Sequence, residues 1–135
     1  MNLKSALSKI IKGDILDDTE TLEKYSSDAS IFKIRPRLVV FPKDLEDVER
    51  LVQFASQNNL SLTPRSAGTD MTGAAIGEGI ILDMSKYFNK IVSVDKNSAT
   101  VQPGVVYSDF EDESLNHTAI LPTYPASREI CTIGG

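Results

Sequence analysis

The sequence predicts an α+β fold, in which an N-terminal βαβ lobe is followed by the start of a second, mixed or antiparallel lobe. Two patterns predict it. Residues 38–64 contain a strand, a helix and a strand within about 25 residues, which is typical of a right-handed βαβ unit with parallel strands. Residues 90–102 then contain two short apolar runs around an Asp/Asn-rich turn, which predicts an antiparallel hairpin.

The first 35 residues are expected to form an N-terminal helical segment. In residues 3–12, Leu and Ile recur on one face at helical spacing, and Gly13 is expected to end that helix. Residues 17–27 are predicted to form a short helical or irregular stretch.

The βαβ unit is predicted from its own sequence signals. Residues 38–41 form a β-branched and aromatic strand that Pro42 ends. Asp44 can cap a helix over 44–58, whose apolar residues repeat at helical spacing. The pair Asn58-Asn59 can end that helix because asparagine tolerates the left-handed conformation, and a second strand follows at 60–64.

The second lobe begins with strands expected at 80–83, 90–94 and 99–102. A Pro-Gly pair ends the last strand, and an acidic amphipathic helix is predicted over 106–116. An extended Pro-rich segment at 121–127 then leads into a loop that ends in Gly134 and Gly135.

The composition is that of an ordinary soluble globular chain: of 135 residues, 41% are hydrophobic and 24% charged. Lys and Arg number 14 against 19 Asp and Glu, a net charge of −5 without a basic stripe, so nucleic acid is not expected as a partner. The longest apolar run has four residues (38–41), so neither a membrane span nor a signal peptide is expected. One cysteine excludes an internal disulfide and favours a cytoplasmic location.

A glycine-rich loop between the second and third predicted strands is the main candidate site. Of the eight glycines, four lie between Gly68 and Gly79. Small residues let backbone N–H groups converge on an anion such as phosphate. The loop lacks the Lys of a Walker motif and the spacing of a Rossmann motif. Arg65 is its only basic residue and can pair with a phosphate or with a carboxylate. On residue types alone, a flexible surface connection remains open.

The other candidate side chains favour structural roles. His117 is the only histidine, which excludes a multi-histidine metal site, and it is expected at an exposed helix end. Cys131 is expected to be a packed or loop thiol, and the acidic residues of 109–113 a solvated helix face. No catalytic residue and no metal site are predicted.

An ordered set of short motifs runs from Tyr25 to the end of the chain. They are Tyr25-x-x-Asp28-x-Ser30, Pro36-x-x-Val39-Val40-x-Pro42, Arg65-Ser66-Ala67-Gly68-Thr69-Asp70-x-x-Gly73, Ile80-x-x-Asp83-x-Ser85, Val101-x-Pro103-Gly104-Val105, and Pro122, Pro125 and Ser127 before Thr132-Ile133-Gly134-Gly135. In this order they resemble the FAD-linked oxidases of the vanillyl-alcohol-oxidase type, with a PCMH-type FAD-binding domain. The branch they resemble contains D-lactate dehydrogenase and glycolate oxidase.

The resemblance implies that FAD is the cofactor and that the full-length protein is an oxidoreductase acting on a small 2-hydroxy acid. Residues 36–135 would be the N-terminal part of the FAD-binding domain, truncated at Gly135. The implied cofactor-binding residues are Ser66, Ala67, Gly68, Thr69, Asp70, Thr72, Gly73, Pro125, Ser127, Thr132, Gly134 and Gly135. A chain ending there is expected to be inactive, to bind FAD weakly at most, and to self-associate through uncovered apolar surface.

Three departures from the family pattern carry physical expectations. Ser66 and Ala67 replace glycines, and the alanine requires a negative φ. Asp70 replaces a serine, and its charge disfavours a nearby diphosphate unless it faces solvent or accepts backbone hydrogen bonds. Gly68→Val is expected to abolish FAD binding, because the side chain would fill the diphosphate's space.

Two functions of other classes remain as alternatives. One is a non-catalytic anion-binding or partner-docking module. The other is a ubiquitin-like modifier ending in Gly-Gly, which requires a β-grasp order with the hairpin first.

Overall fold

Three of the four strands of the main sheet are parallel in the computed structural model, which describes residues 2–134. The helices are α1 (Leu3–Leu7), α2 (Thr19–Lys24), α3 (Leu45–Gln57) and α4 (Tyr107–Asn116). The strands are β1 (Asp14–Leu16), β2 (Leu38–Phe41), β3 (Leu62–Arg65), β4 (Ile80–Asp83), β5 (Ile91–Val94) and β6 (Ala99–Val101). The predicted α+β class is confirmed.

The predicted βαβ unit is present, but its two strands are not neighbours. β4 lies between β2 and β3 and is parallel to both, in the order β1-β2-β4-β3. All four residues of β4 are buried, which suits a central strand. β3 contains Pro64, which has no N–H for a second neighbour, and this strand lies at the edge.

The N-terminal segment contains a strand that was not predicted from the sequence. β1 pairs antiparallel with β2, with Ile15 opposite Val40. α1 ends at Leu7, five residues before the predicted end, and the chain then turns so that Ile11 packs into the core. A three-residue strand has no periodicity of its own, because it exists only through its pairing with β2.

Both faces of the sheet are covered, and the alternation along β2 separates them. Leu38 and Val40 pack on one side with Leu7 and with Leu51 of α3. Val39 packs on the other side in a smaller cluster with residues of the α2 segment. Helices on both faces follow from the near-continuous apolar sequence of β2 and β4.

The second lobe is a hairpin of β5 and β6 packed against α4. Its core contains Val105, Tyr107, Phe110 and Cys131, with partly buried residues of both strands around them. The buried thiol of Cys131 agrees with the packed role expected for it. This hairpin follows the four-stranded sheet in sequence, so the chain does not have the hairpin-first order that a β-grasp modifier requires.

Among residues 2–134, no helix combines the length and the apolar content needed to cross a membrane.

Candidate functional site

The glycine loop begins at the carboxyl end of β3, where Arg65 ties it to the N-terminal segment. The Arg65 guanidinium donates to the Ser27 carbonyl oxygen at 2.8 Å and, more weakly, to the Ala75 carbonyl oxygen at 3.5 Å. It also lies over the Tyr25 ring, 4.9 Å from its centroid. Arg65 therefore binds backbone carbonyls and an aromatic face, and it forms no ion pair with a carboxylate among the described residues.

Two glycines of the loop have positive φ. Gly68 has φ +68° and Gly73 has φ +87°. A Cβ on Gly68 would lie 2.5 Å from Arg65 Nη2, so Gly68 is needed for its conformation and for contact with the arginine. The physical reason expected for the effect of Gly68→Val is therefore wrong, since the side chain would meet Arg65 first. Ala67 has the negative φ that its side chain requires.

Asp70 turns its carboxylate back onto the loop. Asp70 Oδ2 accepts hydrogen bonds from the N–H groups of Thr72 and Ala74, each at 2.8 Å, and from the Thr72 hydroxyl at 2.9 Å. The hydrogen bond from the Ala74 N–H, followed by those from Thr72, lowers the pKa of this carboxyl below its ordinary value. Asp70 thus accepts the backbone hydrogen bonds that the sequence analysis considered; these bonds stabilise its negative charge and do not remove it.

The segment 25–32 braces the loop from behind. The Ala29 N–H donates to the Gly68 carbonyl oxygen at 3.1 Å, and Asp28 Oδ2 accepts from the Ala75 N–H at 3.3 Å. Phe32 lies against Gly73. Contacts therefore reach both the first and the second half of the loop, which gives the Tyr25-x-x-Asp28-x-Ser30 motif a structural role.

Tyr25 anchors that segment to the sheet. Its hydroxyl donates to the buried Asp83 carboxylate at 2.6 Å, and the same carboxylate accepts from the N–H and hydroxyl of Ser85. Burial first, and then the hydrogen bond to Asp83, raises the pKa of the Tyr25 phenol. These hydrogen bonds hold the 25–32 segment against the end of β4.

The 131–134 segment is fixed by backbone hydrogen bonds to the region between β6 and α4. The Ile133 N–H donates to the Val105 carbonyl oxygen at 2.9 Å, and the Gly134 N–H to the Pro103 carbonyl oxygen at 2.8 Å. Between these bonds and Cys131 lies Thr132, whose residue surface is only 8% exposed. Thr132 Oγ1 is buried without a hydrogen-bond partner among the described residues.

The glycine loop, the ends of β3 and β4, and the 125–134 segment enclose one cleft of about 940 Å³. Its lining includes eight residues named from the sequence: Ser66, Thr69, Asp70, Thr72, Pro125, Ser127, Thr132 and Gly134. Three others lie in the loop without lining the cleft: Ala67, Gly68 and Gly73. Gly135 lies outside the described residues. The fold therefore brings together two segments about 60 residues apart in sequence.

The cleft offers hydrogen-bond donors rather than net positive charge. Arg65 and Asp70 are its only charged lining residues within the part of the chain described. The N–H groups of residues 67–71 donate to no acceptor among those same residues. Hydroxyls of Ser66 and Thr69 also line the cleft. This donor set fits a diphosphate bound mainly through backbone N–H groups.

The apolar wall of the cleft was not predicted from the sequence. Its members are Val48, Met71, Leu82, Met84, Pro103 and Ile133. In the sequence, each of these residues looks like an ordinary core or loop residue of its own segment. Only the tertiary structure brings them together on one wall. An apolar wall beside polar donors suits a ligand with an aromatic part and a charged part. The unpaired buried hydroxyl of Thr132 and the free N–H groups therefore fit FAD.

Among the relatives found by comparison with known proteins are a glycolate oxidase subunit and a D-2-hydroxyglutarate dehydrogenase. The chain is 31% identical over 115 residues to glycolate oxidase subunit GlcD of Bacillus subtilis (strain 168), a match that covers 82% of this chain and 24% of that protein. It is 37% identical over 86 residues to D-2-hydroxyglutarate dehydrogenase of Escherichia coli (strain K12), covering 60% of this chain and 8% of that protein. The chain thus spans a quarter or less of these relatives.

The fold has a solved counterpart. Alkyldihydroxyacetonephosphate synthase superimposes with a TM-score of 0.82 at 27% identity, covering 96% of this chain and 30% of that one. The sequence profile described as the FAD binding domain matches residues 36–135, most of the chain and all of the cleft. With the fold, the cleft and this match in agreement, the chain belongs to the FAD binding domain family.

Proposed function

We propose that this chain supplies the diphosphate-binding part of the FAD site in a flavin-dependent oxidoreductase that oxidises a small 2-hydroxy acid. The observation that carries the proposal is the cleft itself, whose lining combines loop residues with unpaired N–H groups, Thr69 to Met71, and the buried, unpaired hydroxyl of Thr132. A buried hydroxyl without a partner is costly, and a ligand that accepts its hydrogen bond recovers that cost.

The chain's own residues have distinct parts in this function. The N–H groups of residues 69–71, with the hydroxyls of Ser66 and Thr69, bind the diphosphate, and the Thr132 hydroxyl donates a further hydrogen bond to the cofactor. The 25–32 segment holds the loop in position. When bound, FAD supplies the redox chemistry by accepting a hydride. No described residue is assigned a catalytic role.

The substrate class comes from the relatives. Glycolate and D-2-hydroxyglutarate, named in the two relatives above, both carry a hydroxyl next to a carboxylate. D-lactate, implied by the sequence resemblance, has the same arrangement. Oxidation of such a substrate to the 2-oxo acid would remove the C2 hydrogen as hydride, which bound FAD would accept, and would release the hydroxyl proton. We propose this reaction for the whole protein that carries the chain.

Substitution of Thr132 by valine tests the cofactor site. Valine has nearly the same shape and removes only the hydroxyl, which makes no hydrogen bond in the free chain. We therefore expect Thr132→Val to leave the free energy of unfolding unchanged or slightly raised. FAD affinity measured by calorimetric titration should fall about fivefold to tenfold, the loss of one hydrogen bond of about 1 kcal/mol.

Thr123→Val is the matched control, because Thr123 is exposed and does not line the cleft. It should bind FAD like the unchanged chain. Equal FAD affinity for the Thr132→Val and Thr123→Val variants would contradict the assignment of Thr132.

The substrate proposal is tested separately, by adding glycolate, D-lactate or D-2-hydroxyglutarate anaerobically to the full-length protein. If none of the three compounds bleaches the visible absorbance of the flavin, the proposal that the substrate is a 2-hydroxy acid is rejected.

A further inference from the structure

Asp70 occupies part of the surface that would otherwise bind phosphate. Its carboxylate accepts two backbone N–H groups, those of Thr72 and Ala74, at 2.8 Å each, and it lines the cleft. Both N–H groups donate to the same oxygen, Asp70 Oδ2, as they could to one oxygen of a bound phosphate. The second half of the loop therefore already holds an anion, and that anion belongs to the chain.

The first half of the loop has no such internal anion. The N–H groups of residues 67–71 have no acceptor among the described residues. The one cation nearby, Arg65, directs its guanidinium to the Ser27 carbonyl oxygen and the Tyr25 ring. Among the described residues that line the cleft, no cation forms an ion pair with Asp70, so its negative charge remains when a second anion enters beside it.

We propose that Asp70 is an affinity-determining residue that confines the diphosphate to residues 66–71 and weakens its binding by charge repulsion. The proposal rests on the proposed function, because it assumes that the cleft holds the FAD diphosphate. Two anions a few ångströms apart repel each other, and because Asp70 is accessible to solvent this repulsion depends on the salt concentration. Loss of the Asp70 charge therefore strengthens binding, the opposite of what loss of a structural contact does.

Asp70→Asn is the variant that separates charge from structure. Its Oδ1 can still accept from the Thr72 or Ala74 N–H, so the turn is retained while the negative charge is removed. We expect the FAD dissociation constant, measured by calorimetric titration at low salt, to fall about tenfold. The difference between the two chains should shrink at high salt, because salt screens charge repulsion.

Asp95→Asn is the matched control. Asp95 caps the β5–β6 turn in the same way, accepting from the N–H groups of Asn97 and Ser98, but it does not line the cleft. The Asp95→Asn variant should bind FAD like the unchanged chain, although both variants reduce the net negative charge by one. A gain for both variants alike would show a general charge effect and overturn the proposal.

The remaining outcomes distinguish this inference from the proposed function. If the unchanged chain binds FAD and Asp70→Asn binds it equally or more weakly, the Asp70 proposal is overturned and the proposed function stands. If neither chain binds FAD or inorganic pyrophosphate, the proposed function is overturned and the Asp70 proposal falls with it. Tighter binding confined to Asp70→Asn, with amide shifts on pyrophosphate addition centred on residues 66–71, supports both.

Discussion

Gly68 has a backbone conformation that side chains rarely adopt, and it lies directly against a guanidinium. Its φ is +68°, and an added Cβ would lie 2.5 Å from Arg65 Nη2. A side chain at position 68 would strain the backbone and would displace Arg65. Both effects would weaken the hydrogen bond from Arg65 to the Ser27 carbonyl oxygen. The glycine therefore maintains the position of the loop, even though it does not line the cleft.

Replacement of Gly68 by alanine should lower the free energy of unfolding by about 2 kcal/mol, given the usual cost of a left-handed non-glycine residue and the contact with Arg65. Urea denaturation followed by circular dichroism measures this change. Ala67→Ser, at the neighbouring exposed position with negative φ, should change it by less than about 0.5 kcal/mol. Equal stability of the two variants would mean that the glycine is not required.

The connections around α3 depend on one buried carboxylate. Asp47 is fully buried in the first turn of the helix and accepts from the N–H groups of Lys12, Gly13 and Lys43 at 2.8 to 2.9 Å. It therefore joins the turn after β2 to the chain just before β1. Asp44 caps the same helix, as predicted, by accepting from the Asp47 N–H.

Asp47→Ala should destabilise the protein by about 3 kcal/mol, because three part-buried N–H groups would lose their carboxylate acceptor at once. Thermal unfolding followed by circular dichroism checks this. The control is Asp109→Ala in the first turn of α4, where the side chain is exposed. A comparable decrease in midpoint for both variants would contradict the role given to Asp47.

Elements with sequence signals inside their own segment could be predicted from the sequence. Elements that exist only through pairing with distant strands could not. α3 has its own cap and apolar spacing, so its predicted range of 44–58 agrees with Leu45–Gln57. β1 and the central position of β4 depend on strands far away in sequence. The same division applies to the site. Glycine density revealed the loop, whereas the directions of Arg65 and Asp70 depend on tertiary contacts.

The dependence of folding stability on acid pH is a property of the whole molecule, because carboxyl groups in several elements have lowered pKa values. The hydrogen bond from Lys86, and then that from Tyr87, lowers the pKa of Asp14, and backbone hydrogen bonds lower those of Asp70 and Asp95. A folded-state pKa below the unfolded value gives stability that is present above the unfolded pKa and is lost as the pH falls through the folded one.

The urea midpoint should therefore be nearly constant from pH 7 to about pH 5 and should decrease below about pH 4, where unfolded carboxyls begin to bind protons. Asp14→Asn should show a shallower decrease, since one of the shifted groups is gone. A midpoint that rises on acidification, or an Asp14→Asn curve as steep as that of the unchanged chain, would contradict this linkage.

The central claim is that the cleft between the glycine loop and the 131–134 segment binds the FAD diphosphate. The most direct test is a titration of the isotope-labelled chain with FAD, followed by amide shifts in two-dimensional ¹H–¹⁵N NMR spectra. We predict saturable shifts concentrated in residues 66–71 and 132–134, with inorganic pyrophosphate reproducing those of 66–71. No saturable shift, or shifts confined to surfaces outside the cleft, would contradict the claim.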